Sequence, residues 1–266
     1  MADEFLGFTQ DSFRFFSDLA AHNNTAWFKE NREQYDRHVA GNFRGLLASL
    51  EPFLLKLNPD FETSGKTNGN FSRINRDIRF SKDKSPYKSN YYLYVFDSRH
   101  DRGHGGRLYV GLCADCVTVG FSIYGGATFR RERSQPPDAL ASIFRQRVAA
   151  NRDVLDRLLE GIVRKRRYET YWHREEKKDW IQRSGLPRRD EDWQTLQAWI
   201  VRKVFPPETR AIQTPAFSRQ IERIFCELYP LYVFTSIDRP GWKKELLVAS
   251  GTATPGAVRT AKAAKA

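Results

Sequence analysis

Residues 107–125 read RLYVGLCADCVTVGFSIYG, and this stretch decides the fold class. Leu108, Val110 and Leu112 alternate along the first run, and Val117, Val119, Phe121 and Ile123 along the second. Strict alternation buries one face of a strand and leaves the other more polar, the habit of antiparallel sheets. Ala114-Asp115 falls between the two runs and reads as the tip of a hairpin. Upstream, Asn90 to Phe96 and Phe71 to Phe80 share the β-branched and aromatic character and are expected to be strands as well. The loop DRGHGG, residues 101–106, reads as a mobile connection.

On either side of this block the period changes to that of helices. Phe13, Phe16, Leu19 and Ala20 recur at three- and four-residue spacing behind the N-cap candidates Thr9 and Asp11. Thr25 can cap a second helix whose stripe is Trp27, Asn31, Tyr35 and Val39, with Gly41 as its end. A third, with Phe43, Leu46, Leu47 and Leu50, is expected to stop near Pro52. From Pro137 the helical period returns through Val148 and again from Val154 to Val163, and Trp193 to Val204 and Phe217 to Leu228 are predicted helices. Tyr229 to Ile237 reads as a terminal strand or a buried turn. The expected architecture is α+β, a central antiparallel sheet with N-terminal and C-terminal helices packed on it. Residues 1–248 are expected to form a single domain, and 249–266, small, basic and low in complexity, a disordered tail.

Composition narrows the function classes. The chain has 266 residues, 44 Lys+Arg against 32 Asp+Glu, a net charge of +12 and 14% aromatics. That aromatic content excludes a disordered chain. No stretch approaches the roughly 20 apolar residues that span a bilayer, so no membrane partner is expected. The opening MADEFLGF lacks a basic n-region and an apolar h-region, which argues against a secretory signal. Three cysteines, an odd number, argue against a disulfide framework and for a reducing cytoplasm. Cys113 and Cys116 have the spacing of half a zinc site, but two further ligands are not evident, so the thiols are read as packing residues and no metal is expected.

The densest chemistry lies in residues 73–88, RINRDIRFSKDKSPYK. Six cations (Arg73, Arg76, Arg79, Lys82, Lys84, Lys88) share sixteen positions with Asp77, Asp83 and Tyr87. On a strand, Arg73, Asn75, Asp77 and Arg79 would share one face, and Arg76 would sit among apolar neighbours, where it needs a carboxylate or a ligand anion. One carboxylate, Asp77, can orient one guanidinium in a bidentate fork and leave the other open. Arg73, Arg76, Arg79, Asp83 and Lys88 are therefore ligand-binding candidates. Asp77, Lys84 and Tyr87 are candidates for proton transfer. Trp27 could stack on a ligand, although core packing explains a helical aromatic stripe better. Arg164 to Lys178 interleaves cations with Tyr168, Tyr171 and Trp172 and is a candidate nucleic-acid face, although Glu169, Glu175 and Glu176 make a solvated helical face the simpler reading.

The same run has the form Arg-x-x-Arg-Asp-x-Arg-Phe-x-x-x-Lys-x-x-Tyr, carried by Arg73, Arg76, Asp77, Arg79, Phe80, Lys84 and Tyr87. It resembles the signature of the DUF2461 family. Asn23, Asn24, Trp27, Phe28, Asn31 and Tyr35 resemble that family's opening, and the likeness runs from about Phe8 to about Pro207. The family is widespread in bacteria and occurs in fungi, and no activity is established for it, so the resemblance implies a shared fold and no particular reaction.

The residues themselves point to binding of an anionic, phosphate-bearing ligand, with catalysis left open and the cofactor unknown. Two alternatives remain at this level: a non-catalytic nucleic-acid-binding protein, and a structural module whose Arg/Asp cluster is an internal ion-pair network.

Overall fold

The computed structural model describes residues 4–79, 81–99, 105–124, 139–176 and 179–250. Of the expected tail 249–266, Ala249 ends a helix and residues 251–266 lie outside the described residues, as do the loop around His104 and Phe80. Among the described residues six strands, β1 (Asn90–Val95), β2 (Gly106–Cys113), β3 (Val117–Tyr124), β4 (Glu169–Glu176), β5 (Asp179–Ser184) and β6 (Ala198–Phe205), form a sheet in the order β1-β2-β3-β6-β4-β5. With helices before and after it, this is the α+β class that the alternation predicted. The chain divides into two compact units. Of the described residues, one unit takes those up to 99, 107–120 and 202–224, and the other takes 105–106, 121–201 and 225–250.

In the first unit β1 and β2 pair antiparallel with Leu93 opposite Val110 and Tyr92 opposite Gly111. Gly111 is bare for a reason: a Cβ there would lie 2.4 Å from Tyr92 Cε1 and 2.7 Å from Thr118 Oγ1. The Tyr92 ring lies against this gap and stacks on Tyr94 at 5.5 Å, and the Arg107 guanidinium sits 4.4 Å over Tyr94.

The helices of this unit begin with α1 (Gln10–Ala21), which buries Phe13, Phe15, Phe16 and Leu19. The cap of α2 (Thr25–Glu30) is Asn24, not Thr25: Asn24 is extended, and its Oδ1 accepts from the Trp27 N–H at 3.0 Å. Gly41 does not end the second helical stretch. The chain runs on through α3 (Arg32–Tyr35), a π-helical turn Asp36–Gly41 and α4 (Asn42–Leu57), with Gly41 in helical geometry. Pro52 sits inside α4 on its exposed side, where the carbonyl that lost its donor can reach water. Tyr91 of β1 anchors this helical layer, with Phe43 at 5.1 Å and Tyr35 at 6.0 Å.

In the second unit α5 (Ala139–Ala150) and α6 (Arg152–Leu159) fall where the periodicity put them. Three readings in the later part of the chain need correction. Trp193 to Val204 is not one helix but α7 (Asp190–Thr195) followed by β6. The apolar run of β6 is buried on both faces at its start, and periodicity cannot distinguish that from a helix. The mixed-charge stretch read as a helical face is largely β4, and Tyr168 and Trp172 are buried. Tyr229 to Ile237 is no strand or turn: α8 (Phe217–Ser236) runs through Pro230, and nearly every side chain on its second half is buried. A further helix, α9 (Trp242–Ala249), follows. Trp199 centres this core, 5.2 Å from Trp193 and 5.8 Å from Phe121, with Nε1 donating to Thr170 Oγ1 at 2.9 Å. Arg147 is 8% exposed and donates to the carbonyls of Val233, Phe234 and Ile237 at 3.1, 3.0 and 2.6 Å, closing the C-terminal end of α8.

No helix among the described residues is long and apolar enough to cross a membrane.

Candidate functional site: an acid-free cleft in the first unit

Residues 71–79 are not a strand. They are extended and held at isolated points: Phe71 bridges Leu93, and Asn75 bridges Tyr87. Arg76 N–H donates to the Pro86 carbonyl at 2.8 Å and Lys88 N–H to that of Ile74 at 2.8 Å. Two local turns break any longer ladder. Asp77 Oδ1 accepts from the Arg79 N–H at 3.2 Å, and Asp83 Oδ1 accepts from the Ser85 N–H at 2.9 Å. Short acidic side chains compete in this way with strand pairing, and Pro86 removes another donor.

The charges sort into two sets. Asp77 takes Arg79 in a bidentate fork, Nε at 2.9 Å and Nη2 at 2.8 Å, on the exposed surface. Asp83 takes Arg76 Nη1, and Ser81 Oγ lies 3.4 Å from Nη2. The Ser85 hydroxyl, at 2.6 Å, together with the Ser85 N–H and Arg76, holds the Asp83 carboxyl well below the usual carboxylate range. Lys84 Nζ donates to the Ile78 carbonyl at 3.1 Å. Lys88 is half-buried with its backbone on Ile74.

Arg73 differs. It is exposed, and among the described residues it has no hydrogen bond or ion pair. It lines a cleft of about 440 Å³ together with Lys29 and Arg32, and no carboxylate is among the lining residues. Lys29 likewise has no partner among the described residues. Asp36 takes Arg32 by Nε at 2.8 Å, which raises the guanidinium's pKa and leaves its terminal nitrogens without a hydrogen bond among the described residues.

The floor is aromatic. Tyr87 stacks on Phe28 at 4.1 Å, and Tyr35 and Tyr91 complete the wall. Burial pushes both the Tyr35 and Tyr91 hydroxyls up, and the two hydroxyls interact with one another. Both stay neutral at physiological pH and so bring no negative charge to the cleft. Tyr87 is 8% exposed, and its hydroxyl has no hydrogen bond among the described residues.

Of the expected site residues, Arg73 and Tyr87 meet in this cleft, while Arg76, Asp77, Arg79, Asp83 and Lys84 lie in the adjoining turns, among their own partners. Trp27 does not line the cleft. It packs 5.7 Å from Phe15 and 6.3 Å from His22. Lys29 and Arg32 were missed although their signal is present: Thr25, Phe28, Lys29 and Arg32 stand at i, i+3, i+4 and i+7, one helical face.

The fold and this cleft define an α+β protein with a polar, cation-rimmed hollow over an aromatic floor. Residues 11–234 match the family described as Conserved hypothetical protein (DUF2461), and the chain belongs to that family. A comparison with curated proteins finds no match.

Proposed function

We propose that the cleft between α2–α3 and residues 72–75 binds an anionic small molecule bearing a phosphate group. The observation that carries this reading is the imbalance at the rim: Arg73, Lys29 and the terminal nitrogens of Arg32 face a hollow with no acid in its lining. Guanidinium and ammonium groups left in this state pair readily with a phosphate, which accepts from a guanidinium fork and from a point charge alike. The aromatic floor suits a ligand whose anionic end is attached to a planar or apolar body. Binding alone accounts for the arrangement, because Asp77 and Lys84, the expected partners of Tyr87 in proton transfer, are engaged with Arg79 and the Ile78 carbonyl.

Nucleic-acid binding along Arg164–Lys178 has less support, since two of its three aromatic platforms, Tyr168 and Trp172, are buried.

Thermal denaturation in rising inorganic phosphate, pyrophosphate and nucleotide tests the reading. At a hundredfold excess over Kd a bound anion adds about 2.7 kcal/mol of stability. Arg73→Ala and Lys29→Ala should leave the unliganded melting temperature unchanged and remove the ligand-induced rise. Arg79→Ala should keep that rise. A rise that survives Arg73→Ala but is lost in Arg79→Ala would move the site out of the cleft.

A further inference from the structure

We propose that Cys113, Asp115 and Cys116, at the tip of the β2–β3 hairpin, form a binding site for a divalent cation of the zinc class. The two Sγ atoms lie 3.2 Å apart, Cys113 Sγ lies 3.1 Å from Asp115 Oδ1, and one donor atom from each of the three residues falls within 4.8 Å of the others. Tetrahedral zinc with bonds of about 2.3 Å separates two thiolate sulfurs by roughly 3.8 Å, which a small side-chain rotation reaches from here. The backbone already holds the chelate. Cys113 is the last residue of β2, Val117 is the first of β3, and the Cys113 N–H donates to the Cys116 carbonyl at 3.1 Å across the tip.

The donor set favours a cation over a reactive thiol. Nucleophilic cysteines sit beside positive charge, which stabilises the thiolate. Here the charged group in contact with the Cys113 sulfur is a carboxylate. A carboxylate hinders a nucleophile and completes a cation site. Two sulfurs and one oxygen also select zinc and cadmium over magnesium or calcium, which take oxygen. Asp115 is exposed and both cysteines are half-exposed, so the site is open to entry. Three protein ligands leave one position for water or an external donor. From the spacing alone the pair looked incomplete because four protein ligands were sought, yet the third lies inside the spacer.

The test is titration of the full-length chain, reduced and stripped with chelator, with Cd2+. The expected result is one Cd2+ per chain and a thiolate-to-cadmium charge-transfer band in the ultraviolet. Cys113→Ser and Cys116→Ser should each abolish the band, and Asp115→Asn should weaken binding roughly tenfold or more. Cys226→Ser should leave band and stoichiometry intact. Far-ultraviolet circular dichroism checks that the serine variants fold; if they do not, the loss of affinity in Asp115→Asn, at an exposed position, still decides. The proposal is overturned if the reduced wild type shows no band, if Asp115→Asn binds as tightly as wild type, or if Cys226→Ser loses the band. It is equally overturned if the reduced pair ignores Cd2+ and is instead converted by glutathione disulfide into a Cys113–Cys116 disulfide with release of two glutathione thiols.

Discussion

The side chain of Asn23 holds the backbone of Tyr87 by both of its polar groups: Nδ2 donates to the Tyr87 carbonyl at 3.0 Å, and the Tyr87 N–H donates to Oδ1 at 3.1 Å. Sixty-four positions separate the two residues. The bond pair pins the segment carrying Tyr87 to the turn before α2 and so sets the position of the Tyr87 ring on Phe28. Asn23→Ala leaves two partly buried backbone groups without partners and should cost on the order of 1–3 kcal/mol. Urea denaturation of wild type and variant measures it, and the same variant should lower anion affinity because the cleft floor loosens.

Removing the Tyr87 hydroxyl should separate binding from stability. The hydroxyl has no hydrogen bond among the described residues, so Tyr87→Phe should shift stability by less than about 0.5 kcal/mol. If the hydroxyl donates to a bound phosphate, the variant should bind it about tenfold more weakly, the worth of one hydrogen bond to a charged group. Isothermal titration with the ligand found by thermal screening reads the difference.

Asp83 should make stability depend on pH. The folded chain keeps this carboxylate charged below the ordinary value of 3.8, where the unfolded chain already takes up the proton. Its contribution is therefore full above about pH 5 and is lost as the pH falls toward the depressed value. The stability gap between wild type and Asp83→Asn should be open near pH 6 and should narrow as the pH is lowered from about 5 to about 2. Denaturant midpoints at a series of pH values test this, and a gap that widens in acid would contradict it.

Arg147→Met should be among the most damaging changes in the second unit. Methionine keeps most of the apolar stem but leaves the carbonyls of Val233, Phe234 and Ile237 without their donor in a buried place. A loss of about 2–4 kcal/mol is expected. Arg147→Lys should recover part of it, since an ammonium can serve one or two of the three acceptors. Thermal or chemical melts of both variants decide.

These cases show what the sequence could reveal. The β2–β3 hairpin was legible because Val117, Val119, Phe121 and Ile123 alternate without interruption and short turn residues flank them. The first helix was legible from Phe13, Phe16 and Leu19. β6 was not, because Ala198 to Val201 are buried on both faces and so lose the period-two signature. The second half of α8, from Tyr229, was read as a strand or turn because it is apolar all round and so loses the helical period. At the site, the cluster from Arg73 to Lys88 was visible from charge density alone. Which of its arginines remained open was not, because that depends on Asp77 and Asp83 folding back within a few residues of their partners. Lys29 and Arg32 come from α2 and α3, more than forty positions earlier, and only folding brings them beside Arg73.

The Tyr92 ring lying against Gly111 has a consequence for how this sheet can change over time. A methyl group at 111 collides with an aromatic ring that is itself one layer of a column ending at Arg107. Enlarging the glycine first would scatter the column, whereas trimming the tyrosine first removes the closer of the two obstacles and leaves only the Thr118 hydroxyl to give way. A side chain at 111 is therefore tolerated best after a smaller residue at 92, and the two substitutions made in opposite orders should give intermediates of clearly unequal stability.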